Sequence, residues 1–242
     1  MPASPPFATV LFDCDSTLSA IEGVDELLAF APKELRADIA TLTTRAMEGT
    51  LPLAEVYETR LRLLAPRRDQ LDRIGELYVA RLVPDAADLV AALQFLGKHV
   101  GIVSGGLAIP VLAVAKHLAI PAANVHAVPL GFDERGHYVD FDRSSPLWRN
   151  RGKIEIVRAL PAERRPVAFV GDGVTDLEVQ GTADVFVGFG GVASRAAVRE
   201  RAEVFVASPS LAPVLMHVTT AAERESLARQ ARFAPLLSAA RR

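Results

Sequence analysis

The sequence predicts an α/β fold, a doubly wound parallel sheet interrupted by one helical insertion, on three observations. First, five short runs are almost continuously apolar: Ala8-Thr9-Val10-Leu11-Phe12, Val100-Gly101-Ile102-Val103, Val167-Ala168-Phe169-Val170, Val185-Phe186-Val187 and Val204-Phe205-Val206. That is the pattern of strands buried on both faces. Second, Ala/Leu-rich helical stretches lie between them, at 86–96, 108–118 and 154–160. Such alternation builds an open, Rossmann-like sheet. Third, the stretch from about Ile21 to Leu82 breaks the alternation, with only helical patterning punctuated by Pro32, Gly49, Pro52 and Pro66. It is too long for one crossover helix and reads as a separate helical unit over the strand ends.

The remaining elements follow the same logic. Gly131 to Phe141 places Glu134-Arg135-Gly136 between apolar flanks and predicts a β-hairpin. Ala221 to Arg242 is rich in Ala and Arg and is expected to be a surface helix with a frayed end. The 242 residues carry 27 Lys+Arg against 29 Asp+Glu, a net charge of −2, which argues against a general nucleic-acid or membrane-surface binder. Half the residues are hydrophobic, enough for a sizeable core. Cys14 is the single cysteine, excluding an intrachain disulfide or a cysteine-built zinc site. The five histidines show no ligand spacing. The first residues lack the charge and apolar run of a secretory signal, and no apolar stretch is long enough to span a bilayer. A cytoplasmic protein without membrane attachment is expected.

Four clusters carry chemistry, each at the C-terminal end of an expected strand or at a helix start. Asp13-Cys14-Asp15-Ser16-Thr17 holds two carboxylates close together, which a cation would offset; alone it reads equally well as a helix-capping turn. Ser104-Gly105-Gly106 ends the second strand, and at a helix start its hydroxyl and backbone N–H groups would suit an anion; an ordinary N-cap is the simpler reading. Lys153, next to Gly152 at a helix start, is unfavourable for the helix dipole unless an anion answers it; otherwise it is a solvated surface Lys. Gly171-Asp172-Gly173-Val174-Thr175-Asp176 adds two carboxylates and backbone that a ligand can approach closely. It is neither a dinucleotide fingerprint nor a P-loop. Jointly the clusters offer oxygen ligands suited to Mg²⁺ and donors for three phosphoryl oxygens.

In that order the four clusters resemble the motifs of the haloacid dehalogenase-type phosphatases, and within them the phosphoserine phosphatases. The resemblance spans about Val10 to Leu215 and includes Ile21-Glu22-Gly23-Val24-Asp25-Glu26-Leu27, Thr44-Arg45-Ala46-Met47-Glu48-Gly49 and Arg60-Leu61. It implies hydrolysis of O-phosphoserine to serine and phosphate, in serine biosynthesis. It implies Asp13 as the nucleophile that becomes an aspartyl phosphate, and Asp15 as the acid and then the base. Mg²⁺ would be held by the Asp13 carboxylate, the Asp15 main-chain carbonyl and Asp172, with Asp176 supporting. Ser104, Gly105, Gly106 and Lys153 would hold the phosphoryl group, and Thr175 would face the substrate. Glu22 would read the substrate ammonium and Arg60 its carboxylate, with Met47 lining the pocket.

The resemblance also divides the chain into a core (1–17 and 83–220), a helical cap (18–82) and a helical tail (221–242), working as a monomer or homodimer. Two departures, Leu53 where an aromatic is common and the loop Leu147-Trp148-Arg149-Asn150-Arg151 before Lys153, leave another small phosphomonoester as substrate, or phosphotransfer to an alcohol, as the alternative. A phosphorylated receiver domain fits less well, because the Asp pair ends the first strand and the chain is about twice a receiver's length.

Overall fold

The computed structural model describes residues 6–47 and 53–242, with the side chains of residues 40, 43–47 and 53 outside that description. The Met47 and Leu53 side-chain readings, and those on Gly49 and Pro52, therefore lie outside the described residues.

The first half of the chain runs β1 (Thr9–Phe12), α1 (Gly23–Leu28), α2 (Lys33–Met47), α3 (Leu53–Leu64), α4 (Arg68–Ala80), α5 (Ala86–Phe95), β2 (His99–Leu107), α6 (Ala108–His117) and β3 (Val125–Val128). The hairpin β4 (Leu130–Phe132) and β5 (Tyr138–Phe141) follows, then α7 (Gly152–Ala159), β6 (Val167–Gly171) and α8 (Val174–Leu177). The chain closes with β7 (Val185–Phe189), α9 (Ala196–Arg201), β8 (Val204–Val206), α10 (Val214–Val218), α11 (Ala221–Ala228) and α12 (Ala234–Ala239).

Six strands form one parallel sheet in the order β3-β2-β1-β6-β7-β8. The chain winds outward from β1 through β2 to β3, then returns to β6 on the other side of β1 and winds outward again. The reversal beside β1 is where an open α/β sheet leaves a crevice at its strand tips. All five predicted strands are present. Val10, Phe12, Val100, Ile102, Phe169 and Phe186 are buried, as expected where helices cover both faces.

Among the described residues, helices α1 to α4 stand between β1 and the crossover helix α5. Of these, α4 packs closely on α6: a Cβ at Gly75 would sit 2.9 Å from the Ala113 Cβ. Ser19 and Leu82 bridge the two ends of the insertion, so it leaves and re-enters the sheet layer at one place.

Three expectations need correction. β3 escaped notice because, as a short, half-buried edge strand containing His126, it has no continuous apolar run. β2 does not end at Ser104: it continues to Leu107 with a shift of register against β3, so Ser104, Gly105 and Gly106 lie in the strand and not at a helix N-terminus. The C-terminal stretch is not a frayed surface helix. Leu227, Phe233, Leu236, Leu237 and Ala240 are buried in the main core, and Lys98 at the entry to β2 ties Glu223 to it at 2.5 Å. Among the described residues, no helix is long and apolar enough to cross a membrane.

Candidate active site

The tips of β1, β2 and β6 converge, and Asp13 N donates to Val170 O at 2.9 Å across the first and third of them. Past Asp13 the chain turns tightly, with Leu18 and Ser19 both donating to the Cys14 carbonyl and Ser16 at a positive φ of 54°. That turn carries the Thr17 hydroxyl to Asp172 Oδ1, 3.1 Å away.

Asp13, Asp172 and Asp176 are all buried and can each bring a carboxylate oxygen within 4.8 Å of the others. Two side-chain cations, Lys153 and Arg195, answer them. Lys153 Nζ lies 3.0 Å from Asp13 Oδ2 and 2.5 Å from Asp176 Oδ1. Arg195 Nε lies 3.0 Å from Asp172 Oδ2, while its Nη2 reaches Glu22 Oε1 at 3.2 Å. Glycine is required beside this cluster, since a Cβ at Gly171 would fall 2.3 Å from Asp176 Cγ.

Burial alone would depress the Lys153 ammonium; the Asp13 and Asp176 carboxylates reverse this and hold it above its ordinary value. Burial, followed by the charge of Asp13, pushes Asp172 up to about 7 and Asp176 up to about 8. Three converging buried carboxylates with only two cations at their edges fit a divalent ion, which takes oxygen ligands and favours their ionised forms. Filling the site must then expel protons. Divalent-ion affinity is expected to tighten about tenfold or more between pH 6 and pH 8, read by calorimetric titration with proton release measured in two buffers. A pH-independent affinity would contradict the buried, proton-holding cluster.

Asp15 stands beside this cluster. Tyr78 Oη donates to its Oδ1, and a Cβ at Gly106 would lie 2.8 Å from its Oδ2 and 3.1 Å from Ser104 Oγ. Gly106 thus lets the Asp15 carboxylate and the Ser104 hydroxyl flank the same stretch of β2. Burial first, then the charges of Glu22 and Asp13, raise the Asp15 carboxyl well above the usual carboxylate range. Cys14, between the two aspartates, is buried and its thiol is pushed up by burial and by both of them, so it stays an unreactive filler.

Of the residues expected from sequence, Asp13, Asp15, Ser104, Lys153, Asp172 and Asp176 come together at the strand tips. Glu22, at the entry to α1, joins them through Ser16 Oγ (2.7 Å) and Arg195. Thr175 is half-buried on α8, and Gly105 backs onto the Leu147 carbonyl. Arg60 comes from α3, its Nη2 3.4 Å from Asp25 and its Nε buried with no partner. Sequence reasoning placed Thr17 in the first cluster without giving it a role, and missed Tyr78 and Arg195. Arg195 is separated from Glu22 by 173 residues, and nothing local marks it.

This sheet and this acidic site define a class: the chain belongs to the haloacid dehalogenase-like hydrolases, whose family model matches residues 10–179. Its relatives narrow that class. The chain is 38% identical to the phosphoserine phosphatase of Mus musculus over 81% of its own length and 88% of the mouse protein, and 36% identical to that of Homo sapiens over the same shares. A solved phosphoserine phosphohydrolase-like protein from Francisella tularensis shares the fold, with a TM-score of 0.72, 23% identity and coverage of 90% of this chain and 98% of that one. Family and relatives together make the chain a phosphatase.

Proposed function

We propose that the chain hydrolyses O-phosphoserine to serine and inorganic phosphate through an aspartyl phosphate on Asp13. The observation carrying this reading is the Lys153 ammonium, buried between the Asp13 and Asp176 carboxylates and 3.0 Å from Asp13 at the sheet's switch point, an arrangement that suits a nucleophile beside a phosphoryl-binding cation.

In the first step an Asp13 carboxylate oxygen bonds to phosphorus as the bond from phosphorus to the serine oxygen breaks. Asp15, whose carboxyl retains its proton more readily than an ordinary one, gives that proton to the departing oxygen. In the second step Asp15 takes a proton from water, whose oxygen attacks phosphorus and releases phosphate from Asp13. Ser104 Oγ accepts from Gly106 N at 3.0 Å, and in this reading its own O–H donates to a phosphoryl oxygen; the Gly105 N–H and Lys153 complete that grip. We infer Mg²⁺ as the cation, held by the Asp13 and Asp172 carboxylates and the Asp15 carbonyl with Asp176 beside them. When bound, it offsets the charge of carboxylates and phosphoryl oxygens together.

Residues 18–82 act in this reading as the cap of a core built from 1–17 and 83–220, with 221–242 docked on that core. Glu22 accepts from the substrate ammonium, Arg60 grips the carboxylate, and Thr175 faces the same space. The resulting enzyme would act on a small metabolite in the cytoplasm.

Phosphate release across a panel of phosphomonoesters tests the reading: O-phosphoserine is expected to have the highest kcat/KM, and a different preferred substrate would overturn it. Arg60→Ala should lower kcat/KM for O-phosphoserine about a hundredfold, in line with losing a bidentate charged contact, and leave p-nitrophenyl phosphate within about threefold. Equal losses on both substrates would remove Arg60 from carboxylate recognition.

A further inference from the structure

Tyr57 stands on α3 three residues before Arg60, so the two side chains share a face of that helix. Its ring packs edge-on against Phe141 with centroids 5.7 Å apart, and Phe141 packs in turn against Trp148 at 5.2 Å. The hairpin and the loop before Lys153 thereby fix where the phenol points.

The Tyr57 Oη is buried and has no hydrogen-bond partner, and the same holds for Arg60 Nε. Among the described residues the other such side-chain atom is the Thr9 hydroxyl, at the opposite end of β1. Buried polar groups are ordinarily satisfied. Two unsatisfied donors on one helix face call for an acceptor from outside the chain. Burial and then the charge of Asp15 push the phenol well above its ordinary range, so it stays protonated, while the Arg60 charge draws it partly back down.

We propose that Tyr57 is a specificity residue: its phenol O–H donates to the substrate carboxylate alongside Arg60, favouring phosphomonoesters that carry a carboxylate. This rests on the phosphoserine reading above. The phosphoryl end already has Ser104, Gly105 and Lys153, and the ammonium is answered by Glu22. The carboxylate, with two oxygens and several lone pairs, matches a guanidinium N–H and a neighbouring O–H.

Tyr57→Phe removes the hydroxyl and keeps the ring on Phe141. KM for O-phospho-L-serine is expected to rise about tenfold with kcat within twofold, the cost of one hydrogen bond to a charged group. For O-phosphoethanolamine, which keeps the ammonium and phosphate but lacks the carboxylate, KM should change less than twofold; if it is not turned over, its inhibition constant is read instead. Unchanged KM for O-phospho-L-serine, or equal rises for both compounds, would overturn the role of Tyr57 while leaving the phosphoserine reading intact. A wild-type enzyme that turns over other phosphomonoesters and ignores O-phospho-L-serine would overturn both.

Discussion

Asp13→Asn should abolish phosphate release, with a loss of at least about ten-thousandfold, while the protein remains folded. The amide is nearly isosteric with the carboxylate but cannot form the bond to phosphorus. Its effect on stability combines two opposed terms. Asp13 raises the carboxyls of Asp172 and Asp176 by its charge, so neutralising it relieves repulsion inside a buried site. Against that, Asp13 accepts from Cys14 N at 2.7 Å through one oxygen and faces Lys153 with the other, and an amide can satisfy only one of these donors. The melting temperature is therefore expected to move by only a few degrees, and thermal denaturation beside a phosphate-release assay checks both halves. Divalent-ion affinity should fall as well, because one of three carboxylates is gone. Substantial phosphatase activity in this variant would remove the covalent mechanism.

The contrast between Asp13 and Arg195 explains what the sequence could reveal. A carboxylate one residue beyond an apolar run is legible, because the run locates the strand and the strand locates its tip. β1 and β6 were found this way, and Asp13, Asp15, Asp172 and Asp176 with them. Arg195 contacts residues 23 and 173 positions away, and such a contact exists only once the sheet is wound. Tyr57 and Tyr78 were equally hidden, since a tyrosine on the apolar face of a helix carries no mark of what its hydroxyl meets. β3 was lost for a different reason: an edge strand is half-solvated and need not be continuously apolar. The tail was legible and was misread. Phe233, Leu236, Leu237 and Ala240 recur at the spacing of one helix face, and their burial shows that this periodicity outweighed the Ala/Arg-rich composition. The strand continues through Ser104 to Leu107 although Gly105 and Gly106 look like a turn; Gly105 lies against the Leu147 carbonyl and Gly106 lets the Asp15 carboxylate approach the strand.

Lys153→Met should cost about a thousandfold in kcat, the scale for removing a preorganised charged donor from a transferring group, and should destabilise the fold as well. The methionine fills a similar volume, so packing against the Phe169 ring, 5.9 Å from the ammonium, is largely retained. What disappears is the positive charge between Asp13 and Asp176. Removing one partner of a buried ion pair typically costs about 3–5 kcal/mol, because the other charge stays buried without compensation. The pH dependence separates this from a simple packing defect. Asp176 already has a raised carboxyl in the folded protein, and loss of the ammonium raises it further. The folded variant then binds more protons than the unfolded chain over the interval between the two carboxyl values, so its stability falls as pH rises through that interval. Without divalent ions the deficit relative to wild type should be nearly constant up to about pH 7, where Asp176 holds its proton in both proteins, and should grow as pH rises through about 8 and beyond, where the wild type ionises it and the variant does not. Adding a divalent ion should recover part of the stability, since a cation among Asp13, Asp172 and Asp176 restores positive charge, but not the activity. Lys153→Arg restores the charge on a broader, planar group and should recover more stability than turnover. Denaturant titrations at pH 6 and pH 9, with and without the ion, decide the matter. A pH-independent deficit would mean that Lys153 matters for packing alone, and near-normal kcat in Lys153→Met would take it out of the phosphoryl grip.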